Sequence, residues 1–96
     1  MTVQFSPEFK KNLISFVDFF IEEDAYQGTS LVQDFHIDLK NTLEVVKEFP
    51  DAFPEHVPRI RRISLKKFKN HCVRYSYDSE HDILTFLTIK HYAQNS

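Results

Sequence analysis

The chain has 96 residues, of which 42% are hydrophobic and 15% aromatic, with ten Phe and one Gly. This length suits a single domain over residues 1–96, and the apolar content argues against an intrinsically disordered chain. The single cysteine, Cys72, excludes an intramolecular disulfide framework and a CxxC metal or redox motif. No run approaches the roughly 20 apolar residues of a membrane-spanning helix, and the first residues lack the regions of a signal peptide. We therefore expect a cytoplasmic protein that does not enter a membrane.

Charge is distributed unevenly along the chain, although the net charge is only −2. Residues 1–56 hold four lysines and eleven acidic residues, a net charge of −7. Residues 57–96 hold eight basic and three acidic residues, a net charge of +5. The two halves therefore present opposite charges to their surroundings.

The first half predicts a strand followed by two helices. Residues 2–5 form a short strand, and Ser6-Pro7-Glu8 supplies a helix N-cap, a first-turn proline and an acid at the helix start. Apolar residues then recur at helical spacing from Phe9 to about Ala25. The only glycine, Gly28, predicts a turn over residues 26–30. A second amphipathic helix is predicted over residues 31–49, and it ends at the following proline.

The second half predicts an irregular, proline-rich loop over residues 51–58 and then three strands. The strands are expected at residues 59–67, 71–77 and 83–91, joined by connections short enough for antiparallel hairpins. The last strand is apolar on both faces, as is typical of a strand inside a sheet. The order β-α-α-β-β-β predicts an α+β fold in which a helical hairpin packs on one face of a mostly antiparallel sheet.

A cluster of basic residues is the strongest local signal in the sequence. No acidic residue occurs between Glu55 and Asp78, and strand alternation places Arg62, Lys66 and Arg74 on the outward face of the sheet. This face is either a solvated surface that discourages edge-to-edge aggregation, or a binding surface for phosphates or an acidic protein segment. Seven basic residues make up the cluster: Arg59, Arg61, Arg62, Lys66, Lys67, Lys69 and Arg74.

The remaining reactive residues offer one further hypothesis. The five histidines show no metal-ligand spacing, so we expect no metal and no cofactor. Cys72 has no base on its own face of the strand and is interpreted as an unreactive strand residue. His91 and Tyr92 either close the last strand or, with Arg74 to steady a phosphate, support metal-independent RNA cleavage through proton transfer.

Three strings of the sequence resemble one known family over nearly the whole chain. They are SPEFKKNLISFVDFFIEE, LEVVKEFP and IRRISLKKFKNHCVRYSYDSEHDILTFLTIKHYAQN. The order of elements, the arginine-rich strand, the aromatic VRYSY strand and a last strand ending in His resemble the RelE/ParE superfamily of bacterial type II toxins. The resemblance implies a small cytoplasmic toxin that a cognate antitoxin neutralises.

The resemblance leaves the target of such a toxin open. ParE-like members inhibit DNA gyrase, whereas RelE-like and YoeB-like members cleave mRNA on the ribosome without a metal. The two long helices and the tail 91–95 look more like ParE, although Tyr92 stands where ParE usually has glycine. His91 and Tyr92 match the terminal pair of YoeB, but the strand arginine of YoeB-like toxins falls at Cys72, with Arg74 two residues further on. The resemblance therefore implies gyrase inhibition ahead of mRNA cleavage, with an inactive orphan binding module as a third alternative.

Two apolar residues on the predicted helices lie away from their apolar stripes. Phe19 and Ile37 are expected to be exposed, and exposed apolar side chains are typical of interaction sites. We therefore expect an antitoxin segment to lie over the basic sheet and against the helical hairpin, with Phe19 and Ile37 as its apolar contacts.

Overall fold

A computed structural model describes residues 1–23 and 30–92 of the chain. The elements in chain order are β1 (Thr2–Phe5), α1 (Pro7–Glu23), α2 (Ser30–Glu48), β2 (Glu55–Val57), β3 (Ile60–Ser64), β4 (His71–Asp78) and β5 (Ile83–His91). The predicted end of the first helix near Ala25, residues 26–29 of the predicted turn over residues 26–30 and the tail 93–95 lie outside the described residues, and Ser30 begins α2. No helix among the described residues is long and apolar enough to cross a membrane.

The five strands form one mixed sheet in the order β1-β5-β4-β3-β2. β1 runs parallel to β5, and every other neighbouring pair is antiparallel. This confirms the predicted α+β class and the mostly antiparallel sheet. β5 lies between β1 and β4, as its two apolar faces predicted.

The prediction of an irregular loop over residues 51–58 is wrong at three residues. Glu55–Val57 forms strand β2, which pairs with Arg61 and Ile60 at the start of β3. β2 is an edge strand, and prolines at positions 54 and 58 flank it. A proline lacks a backbone N–H and so suits an edge, where one side of the strand needs no partner.

Ser6 connects β1, α1 and β5. Its Oγ accepts a hydrogen bond from the N–H of Phe9 at 3.0 Å, which confirms the predicted N-cap of α1. The same hydroxyl donates to the carbonyl oxygen of Leu87 at 2.6 Å, and the N–H of Ser6 donates to the carbonyl of Phe86 at 2.9 Å. The start of α1 is therefore attached to the middle of the sheet.

Both helices pack on the same face of the sheet. Their buried aromatic residues, including Phe16, Phe20 and Phe35, meet sheet residues that have almost no exposed surface. The main sheet residues in this core are Val73, Tyr75, Leu84, Phe86 and Ile89. Among the described residues, neither helix packs on the opposite face of the sheet, where the register places the predicted basic residues Arg62 and Arg74.

Candidate functional site

Two rows of paired side chains cross β3, β4 and β5 on the side of the sheet that faces away from the helices. The register places Arg62 beside Arg74, and Ser64 beside Cys72. In β5, Thr88 continues the first row and Lys90 continues the second. We call these six residues the outer face: Arg62, Ser64, Cys72, Arg74, Thr88 and Lys90.

The outer face is positively charged. Its six residues include three cations and no acid, and Arg62 and Arg74 are direct cross-strand neighbours. Like charges in such positions repel each other and reduce the stability of the sheet. The positive potential extends to His56 in β2, where the positive charge of Arg62 first, and that of Arg74 less strongly, lower the pKa of the imidazole. An anion bound between the two arginines would relieve their repulsion.

Tyr92 lies across the outer face. Its backbone N–H donates to the carbonyl of Asn70 at 2.7 Å, and its hydroxyl forms a hydrogen bond with the hydroxyl of Ser64, two strands away. The side chain therefore passes over β4, where Cys72 is only 1% exposed. The guanidinium of Arg62 sits 5.5 Å from the centre of the tyrosine ring, within range of a cation–π interaction. A half-exposed aromatic ring thus lies beside the guanidinium of Arg62.

The structure separates Arg59 and Arg61 from the other predicted basic residues. Arg61 pairs with the core residue Tyr75, so its side chain leaves the sheet on the helix side. Its Nη1 donates to the carbonyl oxygens of Asp51 at 3.1 Å and Phe53 at 2.6 Å, which fastens the loop after α2. Arg59 is exposed between β2 and β3, with a φ of 69°. Neither residue belongs to the outer face.

The three remaining lysines lie in the turn between β3 and β4. β3 ends at Ser64, so the prediction that this strand continues to Lys67 is wrong. The backbone turns early because the N–H groups of Lys66, Lys67 and Phe68 all donate to the buried carboxylate of Asp38 in α2. We call the exposed lysines of this turn, Lys66, Lys67 and Lys69, the basic turn.

His91 lies on the helix side of the sheet, opposite Tyr92 and Arg74. It pairs with His71, and the two rings are perpendicular with centres 4.8 Å apart. His71 is 7% exposed and packs edge-on against Phe16. Burial lowers the pKa of His71, and the charge of His91 lowers it further. The predicted group of His91, Tyr92 and Arg74 is therefore not brought together on one surface.

Phe19 and Ile37 are both exposed, but they line different grooves. Phe19 is 52% exposed and borders a pocket of about 530 Å³ with His71 and His91. Ile37 is 58% exposed and borders a groove of about 340 Å³ between α2 and the basic turn. A third groove, of about 510 Å³, lies between the helices, with an apolar floor and three lysines at its border. Sequence reasoning missed this third groove because it requires the packing of both helices.

One group of side chains among residues 1–23 and 30–92 has metal-ligating atoms close together. Asp78, Glu80 and His81 lie in the exposed loop between β4 and β5, with ligand atoms within 4.8 Å of one another. The Asp78 carboxylate already accepts hydrogen bonds from the N–H groups of Glu80 and His81, and it contacts the His81 ring at 2.7 Å. These hydrogen bonds within the loop account for the closeness of the three side chains.

Comparisons with known proteins identify the architecture. No protein-family model matches the sequence, and no curated protein matches it. Among solved structures, a chain of the chromosomal ParDE TA system from P. aeruginosa superposes with a TM-score of 0.75 and 13% identity, covering 95% of both chains. The intact E. coli RelBE toxin–antitoxin complex gives a TM-score of 0.61 with 17% identity over 94% of both chains. The isolated E. coli RelE toxin gives 0.61 with 18% identity over 99% of this chain and 86% of that chain. The chain has the RelE/ParE toxin fold.

In this RelE/ParE fold, three residues near the candidate site were missed by sequence reasoning. Lys90 joins the outer face through its register with Cys72. Counting pairs back from the β4–β5 loop would have placed Ile89 there instead, because the pairing shifts by one residue between Arg74 and Tyr75. His56 lies in the unpredicted strand β2. Asp38 left no local signal, because its hydrogen-bond partners lie 28 to 30 residues further along the chain.

Proposed function

We propose that this chain is the toxin of a type II toxin–antitoxin pair, that a cognate antitoxin neutralises it, and that it inhibits DNA gyrase in the cytoplasm. The fold supports the first part, because the similar solved structures belong to a TA system and to a toxin–antitoxin complex. The higher TM-score of the ParDE structure supports a ParE-like rather than a RelE-like action.

One geometric observation carries the choice of gyrase over RNA cleavage. General acid–base catalysis requires its proton donors and acceptors within hydrogen-bond reach of one substrate. His91 packs with His71 on the helix side, whereas Tyr92 and Arg74 belong to the outer side of the same sheet. An RNA bound on the outer side therefore has no direct access to the imidazole of His91.

A second candidate function, metal-independent cleavage of mRNA on the ribosome, rests on the outer face itself. Arg62, Arg74 and Lys90 can bind phosphates, and the half-exposed ring of Tyr92 offers a surface on which a base can stack. We propose under either function that the outer face and the basic turn bind nucleic-acid phosphates held by the target. The alternative outcome is that an acidic segment of a protein, and not a nucleic acid, binds to this surface.

We propose that the antitoxin contacts the exposed apolar residues Phe19 and Ile37. Each borders a groove large enough for side chains of a partner, and apolar contacts at the centre of an interface usually supply most of the binding energy. Replacing either residue with Ser should weaken the antitoxin complex and leave the isolated toxin folded.

The proposed function is tested in a bacterial host and then with purified components. Expression of the chain alone should reduce colony counts, and normal growth with confirmed folded protein would refute the toxin assignment. Purified protein should inhibit gyrase supercoiling and leave messages on programmed ribosomes intact.

His91→Ala separates the two candidate targets. His81→Ala is the matched control, because His81 is an exposed histidine in the loop before β5. Loss of ribosome-dependent cleavage in His91→Ala but not in His81→Ala, with gyrase unaffected by the wild type, would replace gyrase inhibition with RNA cleavage. Loss of a catalytic acid or base costs about 10²- to 10⁴-fold in rate, whereas loss of a packing contact in an inhibitor changes only its affinity.

A further inference from the structure

The carboxylate of Asp38 binds three consecutive backbone amides of another element. Asp38 is 4% exposed, and its Oδ2 accepts hydrogen bonds from the N–H groups of Lys67 and Phe68, each at 2.9 Å. Its Oδ1 accepts a longer bond from the N–H of Lys66 at 3.3 Å. Successive N–H groups that converge on one anion form a concave site for negative charge. Asp38 occupies that site from within the protein.

The contacts around Asp38 hold both sides of this arrangement in place. On the helix, the hydroxyl of Thr42 donates to the backbone carbonyl of Asp38 at 2.9 Å. In the turn, Leu65 is 1% exposed and the ring of Phe68 packs against Phe35 with centres 5.3 Å apart. The backbone of the turn is therefore fixed, while the lysine side chains that it carries reach solvent.

The turn adjoins the outer face. The N–H of Tyr92, whose ring lies beside Arg62, donates to the carbonyl of Asn70 at the end of the turn. A partner that contacts the outer face near Tyr92 is thus next to the basic turn. The position of the turn decides whether its lysines and the arginines of the sheet can engage the same partner.

We propose that Asp38 is a positioning residue for anion binding, because it holds the backbone of the basic turn where Lys66, Lys67 and Lys69 add to the positive outer face. This inference rests on the proposed function, in which that surface binds nucleic-acid phosphates. Pre-organisation increases affinity because the binding event no longer has to order the turn. The negative charge of Asp38 opposes a bound anion, but three N–H groups already satisfy it.

The proposal is tested by whether phosphate binding becomes stronger or weaker when the negative charge of Asp38 is removed. Asp38→Asn and Asp38→Ala each remove one negative charge, which through long-range electrostatics alone should strengthen phosphate binding. Positioning predicts the opposite sign, with weaker binding in Asp38→Asn and still weaker binding in Asp38→Ala. Asp34→Asn is the matched control, since Asp34 is exposed one turn earlier on α2 and has the same charge. It should bind the probe as tightly as the wild type or slightly more tightly.

The probe is a fluorescein-labelled single-stranded oligonucleotide, and its dissociation constant is measured by fluorescence anisotropy at low salt. We expect Asp38→Ala to raise that constant at least about threefold. Hydrogen exchange provides a second measurement that needs no ligand. The amides at positions 66–68 should exchange about 10- to 100-fold faster in Asp38→Ala, since each loses a charge-assisted hydrogen bond. Core amides of β4 should stay protected, which shows that the variant is folded.

Each outcome bears on a different claim. Unchanged exchange at positions 66–68 would overturn the positioning role itself. Faster exchange with unchanged or tighter oligonucleotide binding would show that the turn does not need to be ordered for binding, and this result also overturns the proposal. A wild-type protein that does not bind the oligonucleotide, but does bind an acidic peptide, would refute phosphate binding in the proposed function, and the exchange data would still decide what Asp38 does to the turn.

Discussion

Arg61 and Arg62 are neighbours in the sequence, but the structure assigns them opposite roles. Arg62 lies on the outer face beside Arg74 and Tyr92. Arg61 holds the loop after α2 through two carbonyl oxygens on the other side of the sheet. The same substitution, Arg to Gln, changes the net charge identically at both positions. Any difference between the two variants therefore reports position rather than charge.

The expected magnitudes follow from the number of cations on each surface. Each phosphate neutralised on a single-stranded nucleic acid contributes about −0.7 to the slope of log affinity against log salt. The three cations of the outer face thus contribute about −2, and Arg62→Gln should make the slope less steep by about 0.7. Arg61→Gln should leave the slope unchanged and lower the free energy of unfolding by about 1–3 kcal/mol, because charged donors to two carbonyls are lost.

The assay is anisotropy of a labelled oligonucleotide between about 50 and 200 mM salt, a range over which one phosphate contact changes affinity about threefold. Denaturant unfolding of the same proteins gives the stabilities. Equal changes of slope in the two variants would show that binding depends on net charge alone, and would refute the assignment of the site to the outer face. An unchanged slope in Arg62→Gln would also refute the assignment of the binding site to the outer face.

Three further predictions concern individual side chains. Folding lowers the pKa of His71 below its ordinary value of 6.5, so as the pH falls the imidazole is protonated in the unfolded chain before it is protonated in the folded one. The stabilising contribution of neutral His71 is therefore complete above pH 6.5 and is lost below it. In denaturant titrations, His71→Phe should lose less stability than the wild type between about pH 7 and 5. Tyr92→Ala should expose Cys72 and accelerate its reaction with a thiol reagent, whereas Tyr92→Phe keeps the ring and should leave the thiol protected. Equal reaction rates of Cys72 in the two variants would contradict the placement of the ring over that thiol. Ser6→Ala should cost about 1–3 kcal/mol of unfolding free energy, because both the cap of α1 and the bond to Leu87 are lost, and a thermal melt that matches the wild type would count against that role.

The features that were predicted correctly from the sequence depend on short-range chemistry. The N-cap at Ser6 needs only the three residues that follow it, and the interior position of β5 follows from its apolar residues on both faces. The general order of helices and strands was predicted for the same reason. Local periodicity carries this information because each helix or strand buries one face regardless of its partner.

The features that were missed depend on partners far along the chain. β2 exists because Glu55 and Val57 meet the start of β3, and the early end of β3 follows from amide bonds to Asp38. His91 and Tyr92 entered one hypothesis because they are adjacent in sequence. Adjacent residues of a strand point to opposite faces, so their separation follows from the continuation of β5 to His91.

The outer face combines two features that are unusual for a sheet surface that only meets solvent. Arg62 and Arg74 repel each other as cross-strand neighbours, and Tyr92 is left 44% exposed. The chain carries more acids than bases overall, yet none of those acids belongs to the outer face. A solvated face that only prevented aggregation would not need two arginines side by side, since single lysines along an edge serve that purpose. A pair of arginines beside an aromatic ring supports our proposal that a nucleic acid binds there, because its phosphates supply negative charge and its bases supply a flat surface.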